Sequence, residues 1–227
     1  MFRIDEIHYQ PPKPSVYNII GGAGSYSALG ARLFSPGSEA KKVGWIVDKG
    51  SDFPNSIENT IKSWKTSCSF RNDGTRLTTR GWNGYDASEN RAFRYATPKL
   101  RLDENSLAEC EPLLRAKAFH LICSPTRCIN LVNGILHLRR GLPDHPPRPI
   151  FIWEPVPDLC VPSQLLETTR ALRYVDICSP NHAELGSLMG TPAALANGDV
   201  DRAFVEDATE QLLGSMPLST FAIDRAE

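Results

Sequence analysis

Residues 21–34 have the sequence GGAGSYSALGARLF, in which a glycine cluster leads directly into a helix of small and apolar residues. Glycine lets the backbone adopt positive φ and lets main-chain N–H groups approach a ligand closely. The helix that follows directs the positive end of its dipole at the same point. The stretch therefore predicts a site for polar ligand oxygens, and the alternative interpretation is a plain turn before a buried helix.

The glycine spacing does not fit the common nucleotide-binding loops. Ser27 stands where G-x-G-x-x-G requires its third glycine, and no Gly-Lys-Ser/Thr sequence follows. A Rossmann oxidoreductase also lacks support because no acidic residue follows a second strand at the position that would bind ribose. A hydrolase is disfavoured too, since the chain has no G-x-S-x-G and none of its five histidines lies in a triad context.

Composition excludes several classes of partner. The 227 residues suffice for one large domain or two small ones, and we expect one. A net charge of −1 creates no general field for nucleic acid or an anionic membrane, so neither partner is predicted. The six cysteines lack C-x-x-C pairs and zinc-site spacing, which indicates reduced thiols. No apolar run reaches the length of a signal peptide or membrane span, so we expect a soluble, cytoplasmic protein.

Strand-like and helix-like segments alternate along the chain. Strands are predicted at residues 2–7, 42–47, 119–123, 150–153 and 174–178, and helices at 55–64, 106–117, 126–140, 162–172 and 200–213. This alternation predicts an α/β protein with a parallel, doubly wound sheet, whose ligands bind beyond the carboxyl ends of the strands. Polar residues at such ends are Asp5, Ser124, Glu154, Asn181 and Glu184.

Residues 67–102 differ in composition from the rest of the chain and are rich in Thr, Arg and aromatic side chains. Two alternating segments flank the turn Asn83-Gly84, which predicts a hairpin or small sheet outside the main layer. This sheet is either an edge ribbon with solvated arginines or a lid over a site.

Four stretches together resemble the ribokinase-like, or pfkB, family of carbohydrate kinases, and most closely its fungal subgroup linked to maintenance of the killer virus. They are Asp5, the GGAG of residues 21–24 with its helix, VGWIV with KGSDF at 43–53, and DICSPNHAE at 176–184. The resemblance implies a three-layer, doubly wound, mostly parallel sheet with a small β lid. It spans residues 1–213, places the lid at about 67–102, and leaves 214–227 as a divergent tail.

The resemblance also implies a site and its ligands. Asp5 would receive a sugar hydroxyl, and the substrate would be bound by Gly21, Gly22, Gly24 and Gly50. Asn181 and Glu184 would position Mg²⁺ and phosphate through water. The implied cofactors are ATP and Mg²⁺, and the implied partner is a small sugar or nucleoside.

Each carboxylate of this site has a simpler interpretation. Asp5 could accept backbone N–H groups at the end of a strand, and Glu184 could be an acidic residue favoured by a helix dipole. Tyr26 stands where many relatives carry an asparagine that touches the sugar, so the usual rule does not identify the substrate.

Family members also need a later Gly-Ala/x-Gly-Asp segment that binds the transferred phosphate and supplies the catalytic base. Gly198-Asp199 comes too soon after Asn181 and follows no predicted strand, and too few residues follow Leu213 for an adenine pocket. We therefore expect a C-terminally truncated chain with no catalytic residue assigned and impaired transfer. A positioned general base increases the reaction rate ~10²–10⁴-fold. Loss of one anion-hole donor lowers the rate ~10²–10³-fold.

Two alternatives stay open beside an impaired kinase, namely a non-catalytic binding or scaffold protein and a truncated gene model. A half-fold would expose a sheet edge and helix faces, which favours association. The sequence therefore also predicts a homodimer through the lid or the exposed sheet edge.

Overall fold

The structure, a computed structural model, describes residues 1–214 in two compact units that divide after Leu113. The predicted single domain over residues 1–213 with an inserted lid stays a prediction. All of the predicted divergent tail except Gly214 lies outside the described residues.

The first unit contains two sheets and their covering helices. Its elements are β1 (Arg3–His8), β2 (Val16–Gly21), α1 (Ala23–Leu33), β3 (Gly44–Lys49), α2 (Asn55–Ser63), β4 (Ser67–Asn72), β5 (Arg80–Tyr85), β6 (Arg91–Tyr95), α3 (Glu104–Ala108) and, at the boundary, α4 (Glu111–Leu114). One sheet has the order β2-β1-β5-β6, with β1 and β5 parallel and the outer pairs antiparallel. The other sheet is the parallel pair β3-β4.

The sheet that contains β5 and β6 differs in membership from the lid expected at residues 67–102. Its other two strands are β1 and β2, which come from the start of the chain. β4 pairs instead with β3, with Trp45 opposite Cys68. Local alternation could indicate these strands but could not select partners that are distant in sequence. We call the four-stranded sheet the lid sheet below.

The core of the first unit lies between β1, β3 and the helices α1 and α2. Its buried members are Phe2, Ile4, Ala28, Trp45, Val47, Ile57 and Ile61. The helix predicted at residues 55–64 is present, and Ile57 and Ile61 form its buried face as their spacing requires. The predicted cap of the next helix is wrong by three residues, because Asp103 rather than Ser106 accepts the N–H bond at the start of α3.

The second unit alternates strands with helices. Its elements are β7 (Ala118–Cys123), α5 (Pro125–Arg140), β8 (Ile150–Pro155), α6 (Leu165–Leu172), β9 (Ile177–Cys178), α7 (His182–Met189) and α8 (Arg202–Gly214). The strands form a parallel sheet in the order β7-β8-β9. The predicted α/β class with parallel pairing is therefore confirmed.

The central strand, β8, carries the most deeply buried side chains of the second unit's sheet. Phe151 and Trp153 of β8 are fully buried, and the indole Nε1 of Trp153 donates to the carbonyl of Cys123 at 3.0 Å. β7 was expected to be covered on both faces, but it buries only alternate residues and leaves His120 exposed. Among the described strands β7 pairs only with β8, so it lies at the end of this sheet.

Candidate functional site

The carboxylate of Asp5 lies between two backbones of the lid sheet. A side-chain β-carbon at Gly21 of β2 would fall 2.1 Å from one Asp5 oxygen, and one at Gly81 of β5 would fall 2.6 Å from the other. Any other residue at either position would occupy the space of the carboxylate. Asp5 and Gly21, both predicted site residues, are therefore in direct contact, whereas Gly81 was not predicted.

Arg3 pairs with this carboxylate through two hydrogen bonds. Its Nε donates to Oδ1 of Asp5 at 2.6 Å, and its Nη2 donates to Oδ2 at 3.1 Å. The guanidinium also lies 4.4 Å from the centre of the Phe93 ring on β6. Burial acts to lower the pKa of Arg3, but the hydrogen bonds and charge interactions with Asp5 and Tyr95 outweigh it, so that the pKa is raised. Because an arginine side chain keeps its charge in proteins, Arg3 and Asp5 form an ion pair.

Gly22 and Gly24 contact the first residue of the chain. Gly22 precedes α1 with φ of +90°, a conformation that favours glycine, and a β-carbon there would fall 2.4 Å from the Met1 carbonyl oxygen. The corresponding position at Gly24 lies 2.5 Å from the Met1 nitrogen. The hydroxyl of Ser25 donates to the carbonyl of Gly21 at 2.8 Å and ties the turn to its helix.

Gly50 lies where two segments of the chain approach each other closely. A β-carbon there would fall 2.2 Å from the Thr78 nitrogen and 2.3 Å from the Leu77 carbonyl carbon. Next to it, Asp52 accepts from the Thr78 N–H at 2.7 Å and from Arg80 Nε at 2.8 Å. Burial raises the pKa of Asp52, but these hydrogen bonds lower it by more, and the net shift is downward.

The turn at Gly50 is connected to Asp5 through β5. Residues 76–78 contact Gly50 and run into β5, whose Gly81 lies against the Asp5 carboxylate. The four predicted glycines and Asp5 therefore lie in one unit. Sequence reasoning missed Arg3 and Gly81, because their importance depends on register; the available signal for Arg3 was its position two residues before Asp5, on the same face of a strand.

Asn181 and Glu184 lie in the second unit, at the start of α7. The Asn181 side chain accepts from the Glu184 N–H at 2.9 Å, and Oε2 of Glu184 accepts from the Asn181 N–H at 2.8 Å. This reciprocal pair is a capping box, which satisfies two N–H groups at the helix start. Among the hydrogen bonds of the described residues, none goes to Oε1 of Glu184, and the residue as a whole is buried.

Gly198-Asp199 lies in a turn, not at a helix start. The Gly198 N–H donates to the Leu195 carbonyl at 2.9 Å, and the Leu195 N–H donates to the Asp199 carbonyl at 2.8 Å. The next helix, α8, is capped by Asp201, which accepts from the N–H of Phe204 at 3.0 Å. This geometry agrees with the sequence-based view that Gly198-Asp199 is not the glycine-aspartate segment of a phosphate site.

Cavities and metal clusters do not extend the candidate set. A cavity of about 350 Å³ lies at the tip of the lid sheet beside His8, Tyr9 and Trp82, and no predicted site residue lines it. In residues 1–214 no three His, Cys, Asp or Glu side chains are grouped as a metal site would require. None of the described helices is both long enough and apolar enough to cross a bilayer. All six cysteines are free thiols.

Comparison with curated proteins finds two fungal relatives of this chain. No protein-family model matches the chain. It is 36% identical over 198 residues to protein MAK32 of Saccharomyces cerevisiae, covering 84% of this chain and 54% of MAK32. It is also 36% identical over 193 residues to an uncharacterised protein of Schizosaccharomyces pombe, covering 84% of this chain and 51% of that protein. The chain thus spans about half the length of these curated relatives.

Among solved structures, the ribokinase of Giardia lamblia superposes with a TM-score of 0.65 at 16% identity, over 95% of this chain and 64% of that one. The predicted resemblance to ribokinase-like kinases and to the fungal maintenance-of-killer subgroup is confirmed. The chain is therefore a ribokinase-like (pfkB) protein by fold and, over the half of MAK32 that it matches, a relative of that fungal protein.

Proposed function

We propose that the first unit binds a sugar or nucleoside and that Asp5 accepts hydrogen bonds from the hydroxyl groups of this ligand. The supporting observation is the Asp5 carboxylate between Gly21 and Gly81, where the absence of two side chains brings β2 and β5 close to it. A carboxylate has about four lone-pair positions, so it can accept several hydroxyl protons. Gly22, Gly24 and Gly50 keep neighbouring backbone segments close to this point.

For the whole protein we propose ATP-dependent phosphorylation of a ligand hydroxyl with Mg²⁺. Asn181 and Glu184 would hold the cation through water, and carboxylate and amide oxygens suit it chemically. The geometry is compatible because the capping box uses only Oε2 of Glu184. The bound cation would neutralise phosphate charge, which is the main requirement of phosphoryl transfer.

For these 227 residues alone we propose ligand binding with at most trace transfer. Transfer requires alignment and charge neutralisation at the moving phosphate. The glycine-aspartate segment that the family resemblance implies has no counterpart in the sequence, and Gly198-Asp199 occupies a turn. A non-catalytic binding or scaffold protein is the second candidate, and the same observation favours it.

Calorimetric titration of the full chain with ribose, fructose and adenosine tests the binding proposal. We expect saturable binding of at least one ligand and at least a tenfold loss of affinity in Asp5→Asn, because an amide accepts fewer hydroxyl protons than a carboxylate. Asp158→Asn, the same chemical change at an exposed position of the second unit, is the control. Absence of saturable binding in the natural chain, or equal affinity in Asp5→Asn, would contradict the proposal.

Phosphorus NMR with ATP, Mg²⁺ and the bound ligand separates the kinase from the binding protein. We expect the spectrum of this chain to show ATP and at most a trace of a sugar phosphate. Steady accumulation of sugar phosphate would show that the chain carries its own transfer groups. The cytoplasmic location and the homodimer remain predictions, and sedimentation velocity measures the latter directly.

A further inference from the structure

Asp5 carries a cationic partner at the position where it would bind a ligand. The Arg3 guanidinium approaches both carboxylate oxygens, and the two side chains are only 15% and 9% exposed. Asp5 is therefore half of a nearly neutral pair. A lone carboxylate would repel an acidic ligand, whereas this pair does not.

The pair contributes little to holding distant parts of the fold together. Arg3 and Asp5 are two residues apart on β1, so their two hydrogen bonds join no separate elements. Buried ion pairs in general give little net stability because desolvation offsets the attraction. A structural role for the pair itself therefore explains only part of the arrangement.

The lid sheet also leaves room for Arg3. A β-carbon at Gly81 would fall 3.1 Å from Arg3 Nε and 2.8 Å from the Phe93 ring, besides its overlap with Asp5. The Phe93 ring packs against the guanidinium, 4.4 Å from its central carbon to the ring centre. The position of the guanidinium is thus fixed by contacts on two sides.

Both members of the pair keep capacity for a ligand. A guanidinium has five N–H donors and a carboxylate about four acceptor positions. Two hydrogen bonds join Arg3 to Asp5, so Asp5 can still accept hydroxyl protons. Guanidinium donors match phosphate and carboxylate groups in geometry as well as in charge.

We propose that Arg3 is a specificity-determining residue and that the ligand of this site is an acidic sugar, with a phosphate or carboxylate group beside the hydroxyls that Asp5 binds. This inference rests on the proposed function, since it takes Asp5 as the hydroxyl acceptor. It narrows the substrate class from sugars in general to anionic ones.

Calorimetry with matched ligands tests the inference on the full chain. The first ligand set is glucose, glucose 6-phosphate and glucuronate, which share one ring and differ only at carbon 6. Two further pairs, ribose with ribose 5-phosphate and fructose with fructose 6-phosphate, repeat the comparison on other sugars. In the ligand set whose sugar ring binds to the site, we expect the acidic member to bind at least tenfold more tightly than the neutral one. The phosphate and carboxylate ligands separate the two sources of the negative charge, and inorganic phosphate alone should bind far more weakly than the sugar phosphate.

Arg3→Gln should remove this preference, so that the variant binds the acidic and the neutral sugar with affinities within about threefold of each other, because glutamine keeps hydrogen bonding without charge. Arg94→Gln is the matched control. Arg94 follows Phe93 on β6 and lies over Trp82, 4.8 Å from the ring centre, so this substitution should leave the affinities for both sugars unchanged. If Arg3→Gln melts well below the natural chain, Arg3→Lys replaces it, and an acid preference smaller than that of arginine is then expected.

The outcomes distinguish the two proposals. Equal binding of neutral and acidic sugars by the natural chain, or an acid preference that survives in Arg3→Gln or stays at full size in Arg3→Lys, overturns the role of Arg3 and leaves the sugar-binding proposal standing. Tight binding of inorganic phosphate alone also overturns it. Failure of every sugar to bind overturns both.

Discussion

The candidate residues of the first unit meet through contacts between distant parts of the chain, whereas those of the second unit contact their sequence neighbours. Asp5 touches Gly21 and Gly81, which lie on two other strands. Asn181 and Glu184 form a capping box within one helical turn. Capping boxes occur at helix starts whatever the function of the protein. The difference teaches that the geometry around Asp5 supports a ligand site more strongly than the geometry around Glu184.

The two units also differ in the residues that hold neighbouring backbone segments together. The first unit uses glycine, since the backbone at Gly50 approaches the Leu77 and Thr78 backbone where no side chain would fit. The second unit uses a buried arginine. Arg139 is 4% exposed and donates to the carbonyls of Leu114, Ala116 and Pro147. Burial lowers the pKa of Arg139.

Arg139→Ala should have the largest effect on stability. It would leave three carbonyls without their donor, and each buried acceptor without a partner costs about 1–3 kcal/mol, so we expect a loss of about 3 kcal/mol. Urea unfolding of the chain measures the loss, and hydrogen exchange should locate it at β7 and β8. The neighbouring exposed Arg140→Ala should stay within about 0.5 kcal/mol of the natural chain. Equal losses in the two variants would mean that the three carbonyls are satisfied by water instead.

Gly50→Ala should come next and should act in the first unit. The added carbon would meet backbone atoms of Leu77 and Thr78 at 2.3 and 2.2 Å, and such overpacking costs about 1–3 kcal/mol. Gly74→Ala is the control, because its β-position has no heavy atom within 4 Å. Thermal unfolding compares the two. A Gly50→Ala protein as stable as Gly74→Ala would show that residues 76–78 can move away freely.

Asn181→Ala should cost about 1 kcal/mol, the usual loss of a helix N-cap. Asn181→Asp should retain stability, since aspartate caps a helix as well as asparagine. Together the two variants test whether Asn181 does more than cap the helix. If Asn181 also binds a hydrated cation, Asn181→Asp should change Mg²⁺ affinity in a titration while the urea midpoint stays constant. Asn133→Ala, at an exposed position within α5, provides the control for stability.

The pH dependence of stability should be the smallest effect. Asp52 has a pKa below its ordinary value, because hydrogen bonds from Thr78 and Arg80 outweigh its burial. A carboxylate with a lowered pKa stabilises the fold above its unfolded pKa of about 3.9, and this contribution is lost as the pH falls through the lower folded value. Urea midpoints between pH 6 and 3 should therefore fall less steeply for Asp52→Asn. Parallel curves would contradict the assignment.

Local signals were enough to predict most elements of both units. The helix predicted at residues 126–140 is present as α5, which begins at Pro125 after the cap Ser124, whose hydroxyl accepts the N–H of Arg127 at 3.3 Å. The spacing of Ile57 and Ile61 predicted the buried face of α2. These features depend on residues within one or two turns of each other, so the sequence alone contains them.

Partner choice between strands could not be predicted in the same way. β1 pairs with β5 in parallel, with Asp5 opposite Gly81, and residues between them include three other strands. The pairing of Arg3 with Asp5 depends on this register and on the space at Gly81. Hydrophobic periodicity reports which face of a strand is buried but not which strand lies beside it. The candidate site was therefore predicted in its residues and not in its geometry.

The position of Met1 has a practical consequence. Its main-chain nitrogen and carbonyl oxygen lie within 2.5 Å of the places where side chains of Gly24 and Gly22 would begin. A side chain at Gly22 or Gly24, even that of alanine, would collide with these main-chain atoms and displace the segment that leads into β1. Substitutions at these two glycines are therefore unsuitable as tests of ligand binding, because they would change the fold of the turn as well.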